Sequence, residues 1–594
     1  MSTLGLDRLE PPRGTTYEVF NQSSPLAPDN ALSRDAGMRD ALRLSGGWPI
    51  EVNAFAAASG TAEAQADARL AHQHPPVLHN YDRSGRRVDQ VEYHEAYHRG
   101  ISRAIRHGTH SFAWENGGNG GAHATRAALA AIHYQTEPGS SCPVTMTFAA
   151  QPVLEACPWA CTWVKLLTSR VYDPRDVPTE EKGGAIVGMS MTEVQGGSDV
   201  RANTTTAVPL TESREDGSGW SLRGAKWFTS APASDAFLTL AQTGSGLSCF
   251  LVPRWLPGGD RNSGFRVNRL KDKLGDRSNA SSEVEYDNAW GRLVGREGKG
   301  VATIMEMVVH TRLDCALGSA SLARNAVRRA VHHCAGRAAF GTALSEAPLM
   351  QAVLGDLALE TETNTLLSMR LAVWFDECGG RAGDGAESSA QHEPGSLQAL
   401  RRLATAVAKY LICKRAPGVV VEALECFGGN GYDTRWDMER LYRQSPLNSI
   451  WEGSGNVQAL DVLRTVSREP EALPALFREL QAVGEGGSAY SGRIRDTRAL
   501  VSSLGSDPAG AQRHARSLAE SLGTLLQAYA LLRQASDSGS DSAYRLFHDT
   551  RLAPKRAALS PGFGPAQSFG TRVPNDHAAL QDLISRALLP GPAA

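Results

Sequence analysis

Up to about residue 180, Ala-rich segments with helical spacing such as "ATRAALAAIHYQ" alternate with punctuation rich in Pro, Gly and Asn: "SSPLAPDN", "HQHPP", "ENGGNGG". This pattern predicts a mainly helical part with a long irregular lead-in. From 184 to about 290 the texture changes to short β-rich runs, "GAIVGMSMTE", "GWSLRGAKWFTS", "DAFLTLAQT", "LSCFLVPR" and "SSEVEYDNA", bounded by Gly, Ser, Asn and Asp. They predict a small β domain inserted between helical ones. After "GREGKG" the helical period returns in three long stretches, starting at about 301, at Pro348 and at Leu400, which is the signature of a bundle. The Gly/Ser/acid stretch "DECGGRAGDGAESSAQHEPGS" between the last two reads as a loop. Beyond 466 an Ala/Leu/Arg-rich tail contains the amphipathic helix "AGAQRHARSLAESLGTLLQAYALLRQAS". The predicted fold class is therefore α+β and multidomain: an N-terminal extension and helical domain (1–183), a β domain (184–295), a helical bundle (296–465) and a C-terminal helical extension (466–594).

At 594 residues the chain is long enough for roughly three to five domains' worth of core. Lys and Arg number 61 against 63 Asp and Glu, so the net charge of −2 gives no global affinity for a polyanion, and any such site must be local. The nine cysteines are scattered, with Cys157 and Cys161 the one close pair, which points to a reducing compartment rather than a disulfide framework. The first twenty residues lack a basic segment followed by an apolar one, and no apolar run is long enough to cross a bilayer. The expectation is a cytoplasmic protein with no membrane partner.

Two short stretches carry candidate chemistry. "SIWEGSGNVQ" sets Glu452 between an indole and two glycines, just before a predicted helix. An acid at a helix N-terminus is favoured by the macrodipole alone, but flanking glycines also suit a carboxylate whose backbone must pass close to a flat group. "YHEAYHRG" contains His94, Glu95 and His98 in an H-E-x-x-H pattern, which on a helix could bind zinc. Arg99 follows His98 directly and nothing downstream supplies a third ligand, so a surface helix with ordinary histidines is expected, and no metal.

The motifs "MTEVQGGSD", "GAKWFTSAPASDA", "KLGDRSNAS", "GREGKG", "GRAAFGTAL", "FGGNGY" and "IWEGSGNVQ", in this order and in this helical–β–helical setting, resemble the acyl-CoA dehydrogenase family over about 80–465. "YEVFNQSSPL", "MTFAAQPVL", "EVQGGSDVRANTT" and the long tail are similar to the family's adaptive-response branch, which extends the likeness to most of the chain. The resemblance implies FAD held between the β domain and the bundle. Its contacts would come from Met189, Ser190, Met191, Thr192, Glu193, Gln195, Gly196, Gly197 and Ser198, with the Thr192 and Ser198 hydroxyls and the amides near Gly196 and Gly197 as donors to the flavin. Phe228, Thr229 and Ser230 would flank the ring and its N5 edge. Arg337, with Gly428, Gly429 and Gly431, would approach the diphosphate, in the family partly from a neighbouring subunit, which implies a homotetramer, and Phe340 would be a further cofactor contact. Pro348 departs from the family here, standing where a glutamine commonly helps hold the diphosphate and offering no donor. Ile450, Trp451, Glu452, Gly453, Ser454, Gly455, Asn456 and Leu460 complete the set, and Glu452 would be the base that takes the α-proton of an acyl thioester. Some members place the base just before an arginine matching Arg312, a position held here by Thr311; Asp314 is the alternative carboxylate.

The adaptive-response likeness further implies weak acyl-CoA dehydrogenase activity, binding of double-stranded DNA by the tail and a part in protection against DNA alkylation. Arg495 with Arg498, and Arg513 with Arg516, are spaced three apart on predicted helices and so share a face, while Lys555 and Arg556 form a further basic pair. The tail has 14 Lys and Arg against 12 Asp and Glu, a small positive excess. Two other readings stay open at the sequence: a DNA-binding protector whose flavin is structural, and an ordinary catabolic dehydrogenase or oxidase without DNA binding.

Overall fold

The computed structural model describes residues 18–210, 219–379, 395–484, 486–504, 508–539, 541–553, 569 and 576–587. The chain divides into two compact units, one of Glu63–Asp314 and one of Met1–Ala62 with Cys315–Ala594. The helical, β, helical order and the helical extension are as the hydrophobic pattern predicts. The grouping differs from the four-part division above: the described residues 18–62 belong to the same unit as the C-terminal part, and helix Ala36–Leu44 packs on helix Pro348–Gly379.

The unit Glu63–Asp314 opens with helix Ala62–Gln73 and a two-stranded hairpin, β1 (Val77–Tyr81) and β2 (Arg87–Glu92), which the helical reading of this region did not anticipate. Helices Glu95–Arg106, Ala122–Thr136 and Ser141–Glu155 follow; the latter two are buried along almost their whole length. Seven strands then form one sheet: β3 (Val187–Thr192), β4 (Thr206–Pro209), β5 (Gly219–Ser230), β6 (Ala236–Thr243), β7 (Gly246–Pro253), β8 (Phe265–Leu270) and β9 (Ser281–Val294). Their order is β3-β5-β4-β6-β7-β9-β8, and further pairings of β3 with β6 and β5 with β9 close the sheet back on itself. Phe237, Phe250, Phe265, Val267, Val284 and Tyr286 fill its core.

In the other unit the long helices Pro348–Gly379 and Ser396–Glu425 pair, and the C-terminal part of helix Gly300–Ala335 meets them through Arg324 at Thr361 and the Cys315 carbonyl at Cys413. Pro348 is the first residue of its helix, where its missing N–H and fixed φ do no harm. The tail helices Ala472–Ala482, Pro508–Ser538 and His577–Ala587 pack on this pair, as does Ala36–Leu44 from the lead-in. The tail is part of the core: Leu518, Leu522, Leu525, Leu526 and Tyr529 are fully buried. Polar side chains lock it in place as well. Arg415 reaches Glu520 at 3.2 Å and Gln527 reaches Asn364 at 2.8 Å. Arg551 pairs with Asp356, and Arg586 with Glu362 at 2.7 Å and Asp40 at 2.6 Å.

Candidate functional site

Each unit gathers one group of the sequence-predicted residues. In the β unit, β3 and β5 pair Thr192 opposite Phe228 and Ser190 opposite Thr229, with an irregularity in register between the two pairs. On its other side β5 slips against β9 between Lys226 and Thr229. Register breaks on both sides of one residue re-aim its side chain, and Phe228 stands 47% exposed on an otherwise well-packed sheet. The Lys271 ammonium lies 3.4 Å from the centre of the Trp227 ring and 4.7 Å from that of Phe228. Thr192 and Ser230 are half-buried beside it, and Val194 to Ser198 form an exposed turn closed by paired Glu193 and Gly196 backbone hydrogen bonds. Gly197 must be glycine, since a Cβ there would lie 2.5 Å from Thr192 Oγ1.

Three predicted contacts turn inward instead. Ser190 and Thr229 hydrogen-bond to each other at 2.6 Å and are fully buried. The Glu193 carboxylate accepts from Lys226 Nζ at 2.8 Å, from Thr204 N and Oγ1, from Thr205 N and Oγ1 and from Gln195 Nε2. Burial opposes its ionisation, but the Lys226 ammonium and the hydrogen bonds from Thr205 and Thr204 outweigh it and hold the carboxyl at about 2. Glu193 is thus a keystone beneath the exposed turn, and Lys226 is a partner that the sequence reading missed.

In the helical unit Glu452 adopts φ +57° and Gly453 φ +94°. A non-glycine residue in the left-handed region is strained and persists only where its surroundings fix it. Two buried side chains do so from below: Lys409 Nζ donates to Trp451 O at 2.9 Å and to Gly453 O, and Gln458 Nε2 donates to Glu452 O at 2.9 Å and Gly453 O at 3.2 Å. Trp451 Nε1 donates to Asn448 Oδ1 at 2.8 Å. A Cβ at Gly453 would meet Gln458 Nε2 at 2.7 Å. The backbone is therefore pinned with the Glu452 side chain half-buried at the end of the loop that starts helix Gly455–Arg468, with Ser454 as its cap residue. Ile450, Asn456 and Leu460 are exposed beside it.

Further along this unit Arg337 precedes a tight hairpin, β10 (Ala338–Ala339) and β11 (Thr342–Ala343), whose turn residues Phe340 and Gly341 both have positive φ. Phe340 is fully exposed at the tip. Gly428 and Gly429 face open space, with Gly428 at φ +58°, whereas Gly431 is pressed against the Leu424 carbonyl.

The alternative base and the zinc pattern do not survive. Asp314 is buried and clasped by both Arg126 terminal nitrogens and by Thr145 Oγ1, so its charge is spent on a structural pair. Helix Glu95–Arg106 starts only after His94, whose Nδ1 accepts from Ala96 N at 3.1 Å as the cap, and His98 Nδ1 is 2.9 Å from the Tyr172 hydroxyl. Each imidazole is engaged elsewhere, and the His94 ring also stacks on that of His74, with centroids 4.8 Å apart. The helix also differs from the expected surface helix, because Tyr97, Ile101, Ala104 and Ile105 are buried.

Of the predicted DNA-contacting residues, Arg495 and Arg498 are exposed on helix Gly487–Leu504, and Arg513 and Arg516 on helix Pro508–Ser538. Arg498 also donates to Gln481 at 3.2 Å and Arg516 to the Tyr410 hydroxyl at 3.2 Å. Lys555 and Arg556 lie outside the described residues, as does most of the loop expected before Ser396.

Three family models match consecutive parts of the chain: the adaptive response protein AidB N-terminal domain at 21–174, the acyl-CoA dehydrogenase middle domain at 188–289 and the acyl-CoA dehydrogenase C-terminal domain at 298–467. AidB from Escherichia coli (strain K12) is 46% identical over 458 residues, covering 76% of this chain and 81% of that protein. The crystal structure of Caenorhabditis elegans ACDH-11 in complex with C11-CoA superposes with a TM-score of 0.80 at 27% identity, over 91% of this chain and 94% of that one. A Bacillus anthracis acyl-CoA dehydrogenase complexed with FAD shares the fold, with a TM-score of 0.62 at 18% identity over 76% and 80% of the two chains. The chain belongs to the acyl-CoA dehydrogenase family, a family of FAD-dependent oxidoreductases.

Proposed function

We propose that this protein is an FAD-containing, AidB-like acyl-CoA dehydrogenase homologue that binds double-stranded DNA and acts in protection against DNA alkylation damage, with acyl-CoA dehydrogenation as a weak activity. Each unit offers residues that support this reading: Phe228 in the β unit and Phe340, Ile450 and Leu460 in the helical unit are exposed apolar side chains of the kind a flat ring system or a neighbouring subunit covers, and Gly428 and Gly429 leave open backbone for a diphosphate. Thr192, Ser198 and Ser230 would supply hydroxyl donors, and Arg337 the positive charge. FAD supplies the acceptor for the hydride that leaves the β-carbon of the thioester. Glu452 is the base for the α-proton, oriented by its pinned backbone, and Trp451 gives it apolar surroundings.

The observation that carries the enzymatic reading is Glu452 held at φ +57° by Lys409 and Gln458, strain kept at one carboxylate by two buried donors. Support for DNA binding is the AidB likeness together with the exposed arginines of the tail. Such contacts go to phosphates, release counterions and discriminate little between sequences. A cytoplasmic homotetramer, as in the resemblance, would repeat the arginine patch and add multivalency.

Two measurements on the purified protein test this. Anaerobic titration with a panel of acyl-CoA thioesters should bleach the flavin spectrum, and duplex DNA should bind with an affinity that falls steeply between about 50 and 200 mM salt. A colourless protein that FAD cannot reconstitute refutes the flavoprotein reading. A yellow protein indifferent to DNA at low salt leaves a catabolic dehydrogenase.

A further inference from the structure

The segment Asn21–Ser24 has no regular structure, yet all four residues are tied to the part of the helical unit assigned above to the FAD diphosphate. Asn21 sits at φ +53° and grips Ala338 with both ends of its amide: Nδ2 donates to Ala338 O at 2.9 Å, and Ala338 N donates to Oδ1 at 2.8 Å. Its carbonyl accepts from Arg337 Nη1 at 2.9 Å. Gln22 Oε1 accepts from Asn430 Nδ2 at 3.2 Å, inside the glycine turn. Ser23 Oγ is 2.8 Å from His333 Nδ1, and His332 Nε2 is 2.9 Å from Ser24 O. Gly336 has no room for a side chain, because a Cβ would lie 2.9 Å from Ser23 Cα.

Ordering an irregular stretch costs conformational entropy at every residue. Here that cost is met by contacts that converge on Arg337, its hairpin and the glycine turn, not on the general surface. We infer that residues 21–24 form a strap that aims Arg337 and the Gly428–Gly431 backbone at the cofactor's diphosphate, with Asn21 as a positioning residue. The strap takes one of the guanidinium's five N–H groups and fixes the direction of the rest. The inference rests on the FAD reading of the proposed function.

A double-mutant cycle on the full-length protein tests it, with FAD affinity measured by quenching of flavin fluorescence on reconstitution of the apoprotein. Asn21→Gly removes the amide while accepting the positive φ. It should raise the FAD dissociation constant about three- to tenfold, the effect of losing a hydrogen bond or two. Arg337→Ala should raise it further, and the double variant should match Arg337→Ala within about twofold, because Asn21 works through the arginine. Asn30→Gly, in the same lead-in but bonded to Asn53, should leave affinity unchanged. Asn21→Gly binding FAD as tightly as wild type, or effects that multiply in the double variant, overturns the inference alone. Wild-type apoprotein that takes up no FAD overturns the flavoprotein reading and the strap with it.

Discussion

A glutamate in the left-handed region gives up of order 1 kcal/mol relative to extended or helical backbone. Lys409 and Gln458 must repay that, which makes the loop around Glu452 sensitive to changes of either kind. Glu452→Gln keeps shape and hydrogen-bonding size but cannot accept the α-proton. Acyl-CoA-dependent bleaching measured by stopped flow should fall by about two to four orders of magnitude while FAD content is retained. Undiminished bleaching would make Glu452 structural. The sequence made this carboxylate visible through its flanking glycines, and the structure gives Gly453 its reason in a positive φ and in the Gln458 amide nitrogen, 2.7 Å from where a Cβ would stand. Lys409 was invisible for a physical reason: it is one of five basic residues on a helix some forty residues upstream, and the period of a helix does not say what a buried ammonium reaches. Its burial within "ATAVAKYLI" is the one signal that could have been weighed.

At the scale of elements, two buried ion pairs hold sheet and helices in register. The Glu193 carboxyl sits at about 2 when folded, below its ordinary 4.5, so the folded state holds this proton more weakly than the unfolded chain. Its stabilisation is therefore complete above about pH 4.5 and is lost as pH falls towards 2. Thermal melts from pH 6 to 3 should show the loss, and Glu193→Gln should flatten the profile in that window while lowering stability at neutral pH. Arg126 and Asp314 join helix Ala122–Thr136 to helix Gly300–Ala335, both side chains about 1% exposed. Arg126→Met leaves a buried carboxylate without its partner and should cost about 3–5 kcal/mol in denaturant unfolding. An unchanged midpoint would mean that Asp314 had found a proton or a new donor at little expense. Helices were legible from their period, and strands β3 to β9 from β-branched runs and turn residues. The β1–β2 hairpin was not, because "VLHNYDRSGRRVDQVE" is polar on its exposed face and lies between helical stretches.

For the molecule as a whole, the tail changes from an appendage in the sequence to a structural layer in the fold. Cutting the chain near residue 466 would remove Leu518, Leu522 and Tyr529 from the core together with the Arg551 and Arg586 ion pairs. Truncation should give insoluble or unfolded protein, and it is therefore a poor test of DNA binding. Charge reversal at the exposed Arg495, Arg498 and Arg513 leaves that core intact. The triple Glu variant should keep its melting temperature within a few degrees, lose about tenfold or more in duplex affinity at low salt and show a shallower salt dependence by gel shift or anisotropy. Unaltered binding would place the contacts elsewhere on the chain.

Arg586 clasps Asp40 across 546 residues of sequence, and that separation sets an order of events during synthesis. A ribosome adding about 5–20 residues per second needs about half a minute to two minutes to pass from one partner to the other. Meanwhile Glu63–Asp314 is contiguous and can fold as soon as it emerges. Helix Ala36–Leu44, by contrast, packs chiefly on helix Pro348–Gly379 and further on helices Pro508–Ser538 and His577–Ala587, so its packing is complete only when the last of them leaves the exit tunnel. Nascent chains stalled late in the message should accordingly hold a protease-resistant β unit and a protease-sensitive N-terminus, the part made first being among the last to find its place.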